Sequence, residues 1–528
     1  ELRALLRPQT FGWTHMTPNI LFVTTDQQRR DCYGFRGRGV KTPNLDILAA
    51  RGTDFINCIT PSPVCQPARA AILTGLLPFS NGAADNGIDL DDTIAEAGFA
   101  AHLTRSGYQT GLVGKAHFST KATFSPTGRA ECASSSADFP QDWTGPYMGF
   151  EFVELAMFGK WFPGREPLRP PNGQHFERWF FDAEDGDLGY DLWRSETRPK
   201  TGAHQTWNSA LPVAKHPTSW IGDRSIDFIK NRDKDRPFML WASFGDPHHP
   251  FDCPEPWASL HDPATVELPE HFELDLEKRP WWHKAALEGE PKLNDPVLKN
   301  FRKSGTRVLN QTEEQLRDMT ANYYGMISLI DHNLGRILVT LEEEGELENT
   351  YVFFTSDHGD FLGDHGLFLK GPMLYEGLIN VGMIAAGPGI PTGQVEDHVI
   401  STLDLAPTFA EIASAEGPAA WQGYSLLPLI SGNHTAPRLD HVFCEWRVGE
   451  SRCGVALRLT CVHDGQFKLT YDEFSEIGEL YHLESDPNEM HDLWSDSASR
   501  SHRSRLMKIL VNRRVNALKE FAEPVGMT

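Results

Sequence analysis

A cysteine, a proline and an arginine stand at alternate positions in Cys65-Gln66-Pro67-Ala68-Arg69, and the run Ala70-Ala71-Ile72-Leu73-Thr74-Gly75 follows at once. The run reads as a helix that starts near the cysteine. A helix N-terminus attracts anions, so Cys65 sits where a negative group is drawn in. Arg69 lies about one turn further on. The arrangement suits a nucleophile that attacks an anion. Such chemistry also needs metal ligands or acid–base groups, and four further clusters offer them: Asp26-Gln27, Lys115-Ala116-His117, Asp246-Pro247-His248-His249-Pro250 and Asp357-His358-Gly359-Asp360. Lys370 follows the last of these after a short loop.

Taken singly, each cluster has a plain structural explanation. Asp26 suits a helix N-cap, Asp357-His358-Gly359 and Asp85-Asn86-Gly87 suit turns, Lys115, His117, His248 and His249 suit loops, and Cys65 suits an inert buried thiol. Their placement argues for more. Apolar runs at residues 20–24, 110–114, 238–244, 351–355 and 381–385 lack polar alternation and read as strands of a parallel sheet covered on both faces. The four clusters directly follow the first four of these runs. In open α/β sheets, ligands bind at the carboxyl ends of the strands.

Helical patterns separate the strands, at 93–106, 219–231 and 312–344, the last stopped by Gly345. Alternating strands and helices predict an α/β fold. Residues 119–217, rich in Trp, Pro, Gly and Asp, and residues 253–311, charged and Pro-containing, read as insertions around the mouth of a site. From about residue 435 the character changes. Runs at 457–462 and 467–471 flank His463-Asp464-Gly465-Gln466 as a hairpin, and a basic helix at 501–521 closes the chain. The expected organisation is a catalytic domain over 16–434 and an α+β subdomain over 435–528. Residues 1–15 read as a leader or an appended segment, with Met16 as the native start.

The chain has 528 residues, 40% hydrophobic and 23% charged, as expected of a folded globular protein. Its net charge of -23 argues against nucleic-acid or anionic-membrane partners. The same charge requires that any anionic substrate be captured by a local positive site. The eight cysteines form no CxxC pair and do not read as a disulfide framework, so a reducing cytoplasm is expected.

With these residues in place, the chain resembles the sulfatases of the alkaline phosphatase superfamily and their relatives the phosphonate monoester hydrolases. The resemblance runs from about Pro18 into the C-terminal subdomain. It is carried by Asp26-Gln27, Cys65-Gln66-Pro67-Ala68-Arg69 with Leu73-Thr74-Gly75, Gly114-Lys115-Ala116-His117, Pro247-His248 and Ser356-Asp357-His358-Gly359. It implies an alkaline-phosphatase-like mixed, mostly parallel sheet between helices, with a smaller C-terminal α+β subdomain. It also implies that a maturation enzyme oxidises Cys65 to formylglycine. One hydroxyl of the hydrated aldehyde would attack sulfur to give a covalent sulfoenzyme, and the other would expel sulfate.

By the same resemblance, Asp26, Gln27, Asp357, His358 and the modified residue 65 hold one divalent metal. Arg69 holds the diol, Lys115 and Lys370 neutralise the transferring group, and His117 accepts a proton from the diol. His248 protonates the leaving alcohol, and Asn86 hydrogen-bonds the diol or the ester. The family norm is Ca²⁺, whereas Gln27 and His358 stand where many sulfatases carry Asp and Asn, which leans toward Mn²⁺. Phosphonate monoester hydrolases tend to replace the Lys-x-His element with uncharged residues. Retention of Lys115 and His117 therefore leans toward a small-molecule sulfate ester. A phosphonate or phosphodiester substrate and an unmodified, inactive binding protein are the alternatives. The resemblance allows dimers and tetramers.

Overall fold

The computed structural model describes residues 17–123, 125–157, 166–308, 311–432, 438–513 and 521–526. The expected leader at 1–15 lies outside the described residues. Fourteen described strands run in chain order: β1 Asn19–Thr25, β2 Thr53–Phe55, β3 Cys58–Ile59, β4 Gln109–Gly114, β5 Phe152–Leu155, β6 Phe238–Ser243, β7 Thr350–Ser356, β8 Met383–Ala386, β9 Gln394–Glu396, β10 Ile400–Ser401, β11 Val442–Val448, β12 Leu457–His463, β13 Phe467–Asp472 and β14 Ile477–His482. Eight form the central sheet in the order β5-β4-β6-β1-β7-β8-β2-β9, while β3 and β10 make a small separate pair. Neighbours in the central sheet are parallel except where β8 meets β7 and β2. The fifth apolar run is therefore an antiparallel strand, and the sheet is mixed and mostly parallel, as the resemblance implied.

Both faces of the sheet are covered, which explains strands without polar alternation. Ile20 and Phe22 of β1 face one way, with Trp241 and Phe353, against the helices Cys65–Thr74, Phe99–Arg105 and Leu405–Ile412. Leu21 and Val23 face the other way, with Leu240 and Phe354, against Pro217–Asn231 and Glu313–Glu343. The last of these begins on a capping box formed by Thr312 and Gln315. The helix expected at 93–106 is instead two short helices, Asp92–Ala95 and Phe99–Arg105. Gly98 separates them because its backbone packs on Leu73, and a Cβ there would lie 2.7 Å from the Leu73 carbonyl.

The stretch 119–217 is not a simple insertion: β5 within it pairs with β4 at the edge of the sheet. Its aromatic residues Trp193 and Trp207 pack into the core beside Trp220 rather than line a pocket.

The C-terminal sheet is antiparallel, in the order β11-β12-β13-β14, and includes the expected hairpin. One face buries Trp446, Leu459 and Tyr481 against Phe361, Leu367, Met373 and Leu374, the segment that carries Lys370. The other face takes Leu506 and Leu510 of the closing helix Arg500–Asn512. Of the expected helix at 501–521 the described residues show Arg500–Asn512, and residues 514–520 lie outside the described ones. Across the join, Lys468 Nζ donates to the Leu374 carbonyl at 2.6 Å and pairs with Glu376 and Glu489. The subdomain thus braces the loop that presents Lys370.

Candidate active site

Cys65 is the first residue of the helix Cys65–Thr74, preceded by Val64 in extended conformation. Its neighbours at the sheet's carboxyl edge arrive from four strand ends. Asp26 follows β1, Lys115 follows β4, the His248 loop follows β6, and Asp357 follows β7. Three contacts converge on Cys65 Sγ: Lys370 Nζ at 3.1 Å, His358 Nε2 at 3.1 Å and Asp26 Oδ1 at 3.5 Å. Burial and Asp26 push the Cys65 thiol up, but Lys115, Lys370 and His358 outweigh them and bring it down to about 7.

Arg69 is wholly buried. Its Nε donates to Asp357 Oδ2 at 2.8 Å, and its Nη1 donates to the Lys115 carbonyl at 2.8 Å and to Ser243 Oγ at 2.7 Å. Nη2 has no hydrogen-bond partner among the described residues and lies 3.9 Å from Asp26 Oδ2. Arg69 thus ties together three strand ends and keeps one donor in reserve. Lys115 is nearly as buried, and its Nζ pairs with Asp26. Burial alone would raise the Asp26 carboxyl; Lys115, His248 and Arg69 hold it well below the ordinary value instead. Gly114, which delivers Lys115, has φ 107, and a Cβ there would lie 2.1 Å from the Ser243 carbonyl, so only glycine fits.

The residues expected to hold a metal fit one. Ligand atoms of Asp26, Cys65, Asp357 and His358 all lie within 4.8 Å of one another. His358 Nδ1 lies 2.8 Å from the Gly359 carbonyl, which assigns its proton there and leaves the Nε2 lone pair facing Cys65 and Asp26. Gln27 Oε1 is buried without a hydrogen-bond partner, an acceptor that a cation would satisfy. Gln27 adopts φ 73, a conformation uncommon outside glycine. Its backbone N–H donates to Asp357 Oδ1 at 3.1 Å, its carbonyl accepts from Tyr323 Oη at 2.6 Å, and its Nε2 donates to Asp360.

His117 also has a positive φ of 55, is buried, and has no hydrogen-bond partner on either ring nitrogen. Burial, followed by Lys121 and Lys115, holds it well below its ordinary value, so it is a neutral base. Glu131 fixes its loop by accepting from the backbone N–H groups of His117, Phe118 and Ser119. Asn86 Oδ1 accepts from the Gln66 N–H at 3.1 Å, capping the helix that carries Cys65 and leaving the amide NH₂ as the donor for a ligand.

His248 stands on the loop after β6. Its Nδ1 lies 2.5 Å from the His249 carbonyl and its Nε2 lies 3.0 Å from Lys370 Nζ, which can only donate. Burial, His249 and Lys370 together hold the imidazole well below its ordinary value. In this state His248 Nε2 faces the Lys370 ammonium as an acceptor.

Cys65, Asn86, Lys115, His117, His248 and Lys370 share one small cavity of about 60 Å³. Lys121, His249, Arg302 and Arg452 line it too, and of these only His249 stood in a cluster read from the sequence. Ser243, Tyr323 and Glu131, which hold the others in place, were not singled out, whereas Asp360 closed the Asp357-His358-Gly359-Asp360 cluster. A larger cavity of about 550 Å³ lies between Trp421, Phe443 and the closing helix, but it contains none of these groups. Chemistry rather than size marks the site.

A nucleophile position, a carboxylate–imidazole metal pocket and a ring of cations at the carboxyl edge of an α/β sheet define a hydrolase of anionic esters. The Sulfatase family model matches residues 18–415, and an N-sulphoglucosamine sulphohydrolase C-terminal model matches 363–516. The chain belongs to the sulfatase family. It is 30% identical to an arylsulfatase of Clostridium perfringens over 94% of each chain. It is 29% identical to a choline-sulfatase of Rhizobium meliloti over 90% of this chain and 82% of that one. Its fold is similar to that of a phosphonate monoester hydrolase from Silicibacter pomeroyi, with a TM-score of 0.73, 21% identity and coverage of 95% and 96%.

Proposed function

We propose that the protein hydrolyses sulfate esters by nucleophilic attack from residue 65. The observation that carries this is the convergence of Lys370, His358 and Asp26 on Cys65 Sγ, with Lys115 and His117 retained beside them. Formylglycine at residue 65 would supply a hydroxyl nucleophile that regenerates after turnover, and a divalent metal held by Asp26, Gln27, Asp357, His358 and residue 65 would acidify it and bind a sulfate oxygen. One imidazole and one amide ligand beside two carboxylates lean toward Mn²⁺ over Ca²⁺.

The chain's own residues do the rest. Arg69 offers its spare Nη2 to the nucleophile. Lys115 and Lys370 meet the charge on the transferring group in a site that excludes water. His117, neutral and unpartnered, takes a proton when the enzyme is released. An entering anion takes Lys370 as its partner and lifts the His248 pKa, so that Nε2 gains a proton to give to the leaving oxygen. Seven buried cysteines besides residue 65, none disulfide-bonded among the described residues, support a reducing compartment.

Phosphonate monoester hydrolysis is the second reading, supported by the fold likeness. The test uses protein whose residue 65 has been examined by peptide mass spectrometry, with aryl sulfate, phenyl phosphonate and a phosphodiester as substrates. Sulfate should show the highest kcat/KM, and Cys65→Ala should abolish turnover with the fold intact. A phosphonate preference would replace the first reading with the second. An unmodified, metal-free, inactive protein would make the chain a binding homologue.

A further inference from the structure

The cavity above Cys65 holds more positive charge than a sulfate monoester uses. Lys115 and Lys370 line it beside Cys65, with the buried Arg69 behind them. Three further cations reach the same cavity from separate parts of the chain: Lys121 from the loop after β4, Arg302 from the segment Phe301–Gly305, and Arg452 from the short helix Glu450–Cys453 of the C-terminal subdomain. Lys121 and Arg302 are only 2% and 4% exposed. Arg452 is held in place by Asp85, at 2.7 and 3.3 Å, and by the Trp446 ring at 5.1 Å. No carboxylate lines the cavity among the described residues. Long cationic side chains ordinarily keep their heads in water, so three that turn into one cavity of about 60 Å³ mark a place for negative charge.

Resting on the sulfatase reading, we propose that Lys121, Arg302 and Arg452 form a subsite for a second anion on the organic part of the substrate, a carboxylate or a further sulfate close to the scissile ester. Their three-sided arrangement fits a fixed second anion better than it fits a hydrocarbon tail. Phe301 is the one phenyl or indole ring in the lining, so nothing there makes an aromatic cage for a quaternary ammonium group. Burial, followed by Lys115, brings Lys121 down to about 7, so a neighbouring anion at neutral pH also restores its charge.

The experiment compares 3-carboxyphenyl sulfate with its methyl ester, a pair with nearly equal leaving groups, and with choline sulfate, on protein whose residue 65 is verified as the aldehyde. One charge-assisted hydrogen bond predicts a kcat/KM ratio of acid to ester of at least about tenfold, expressed mainly in KM. Raised salt should shrink the ratio, and Arg302→Gln and Lys121→Gln should each bring it toward one. A wild-type ratio of one or less, a ratio unchanged in both variants, or choline sulfate turned over as well as the acid would each overturn the subsite. If the methyl ester is hydrolysed and the ratio is one, the subsite falls while the sulfatase reading stands. If phosphonates are cleaved and neither sulfate is, both fall.

Discussion

Lys115→Met removes one charge from the cavity at nearly constant volume. The Lys115 ammonium is buried against Asp26, itself without exposed surface, so the group is poorly screened by solvent. At an effective dielectric of about 20, two unit charges about 4 Å apart interact by about 4 kcal/mol. A sulfate monoester carries its charge before the reaction as well as during it. Part of the loss is therefore uniform binding and raises KM, and only the part tied to charge shifting toward the transition state lowers kcat.

Removing one preorganised donor to a reacting oxyanion costs about 10²–10³-fold, which sets the expected fall in kcat/KM for phenyl sulfate. The fold should survive, because the backbone carbonyl of residue 115 still accepts from Arg69 at 2.8 Å and from Ser243 at 2.6 Å. Metal content should hold or rise, since Asp26 loses a competing cation. A phosphonate presents a carbon substituent where sulfate presents its third free oxygen, so its hydrolysis should fall by no more than about tenfold. Parallel kinetics on both substrates, with metal content measured on each preparation, decide the matter. An equal loss on both substrates, or a sulfate loss under about tenfold, would refute the assigned contact.

His248→Gln keeps a side-chain acceptor for Lys370 but cannot be protonated. Turnover of alkyl and unactivated aryl sulfates should fall about 10²–10⁴-fold while nitrophenyl sulfate loses much less, and a loss uniform across leaving groups would argue against proton donation. Gln27→Leu removes the unpartnered Oε1 and should weaken metal binding measured by competitive chelation by about 10–100-fold, with unfolding in the metal-free state little changed; unchanged affinity would place Gln27 outside the ligand set. Burial pushes the Glu445 carboxyl up to about 7, only partly offset by Arg513 and the Phe79 N–H. The folded chain then holds a proton that the unfolded chain releases above its ordinary 4.5, so stability should decline as pH rises between about 4.5 and 7 and level off beyond. The full effect is roughly 3 kcal/mol, and Glu445→Gln should flatten that part of the Tm–pH profile; an unaltered slope would assign it elsewhere.

The nucleophile and its partners were legible because each is announced locally. A run of five to seven apolar residues ending in Asp, Lys or His states both the strand and what stands at its carboxyl end. The short strands were not: β2, β5 and β9 span three or four residues each, too few for a pattern, and are strands only because a longer neighbour pairs with them. Direction was hidden as well, since Met383–Ala386 is buried whichever way it runs. The density of Trp across 119–217 signals burial without saying against what, and here Trp193 and Trp207 serve the core. His248 shows a different gap. Its type and position were evident, whereas its protonation state depends on a carbonyl at 2.5 Å and on an ammonium contributed 122 residues away.

Lys121, Arg302 and Arg452 were invisible for a further reason: a lone cation in a loop reads as a solvated side chain. Behind the cavity lies a layer of acids facing several of its cations. Asp26 faces Lys115, Asp357 faces Arg69, Asp85 faces Arg452, and Glu131 lies near enough to Lys121 to raise its pKa, yet none of these carboxylates lines the cavity. Each acid offsets the cost of burying its cation, and the charged groups lining the shared space among the described residues are all positive. This reconciles a net charge of -23 with an anionic substrate. At physiological salt, charges more than about 8 Å away are largely screened, so the substrate responds to the few groups it touches and not to the total. The sign of the site is set by the order of the layers, acid behind and base in front, and that order exists only once the four strand ends, the 301–305 segment and the C-terminal subdomain have come together.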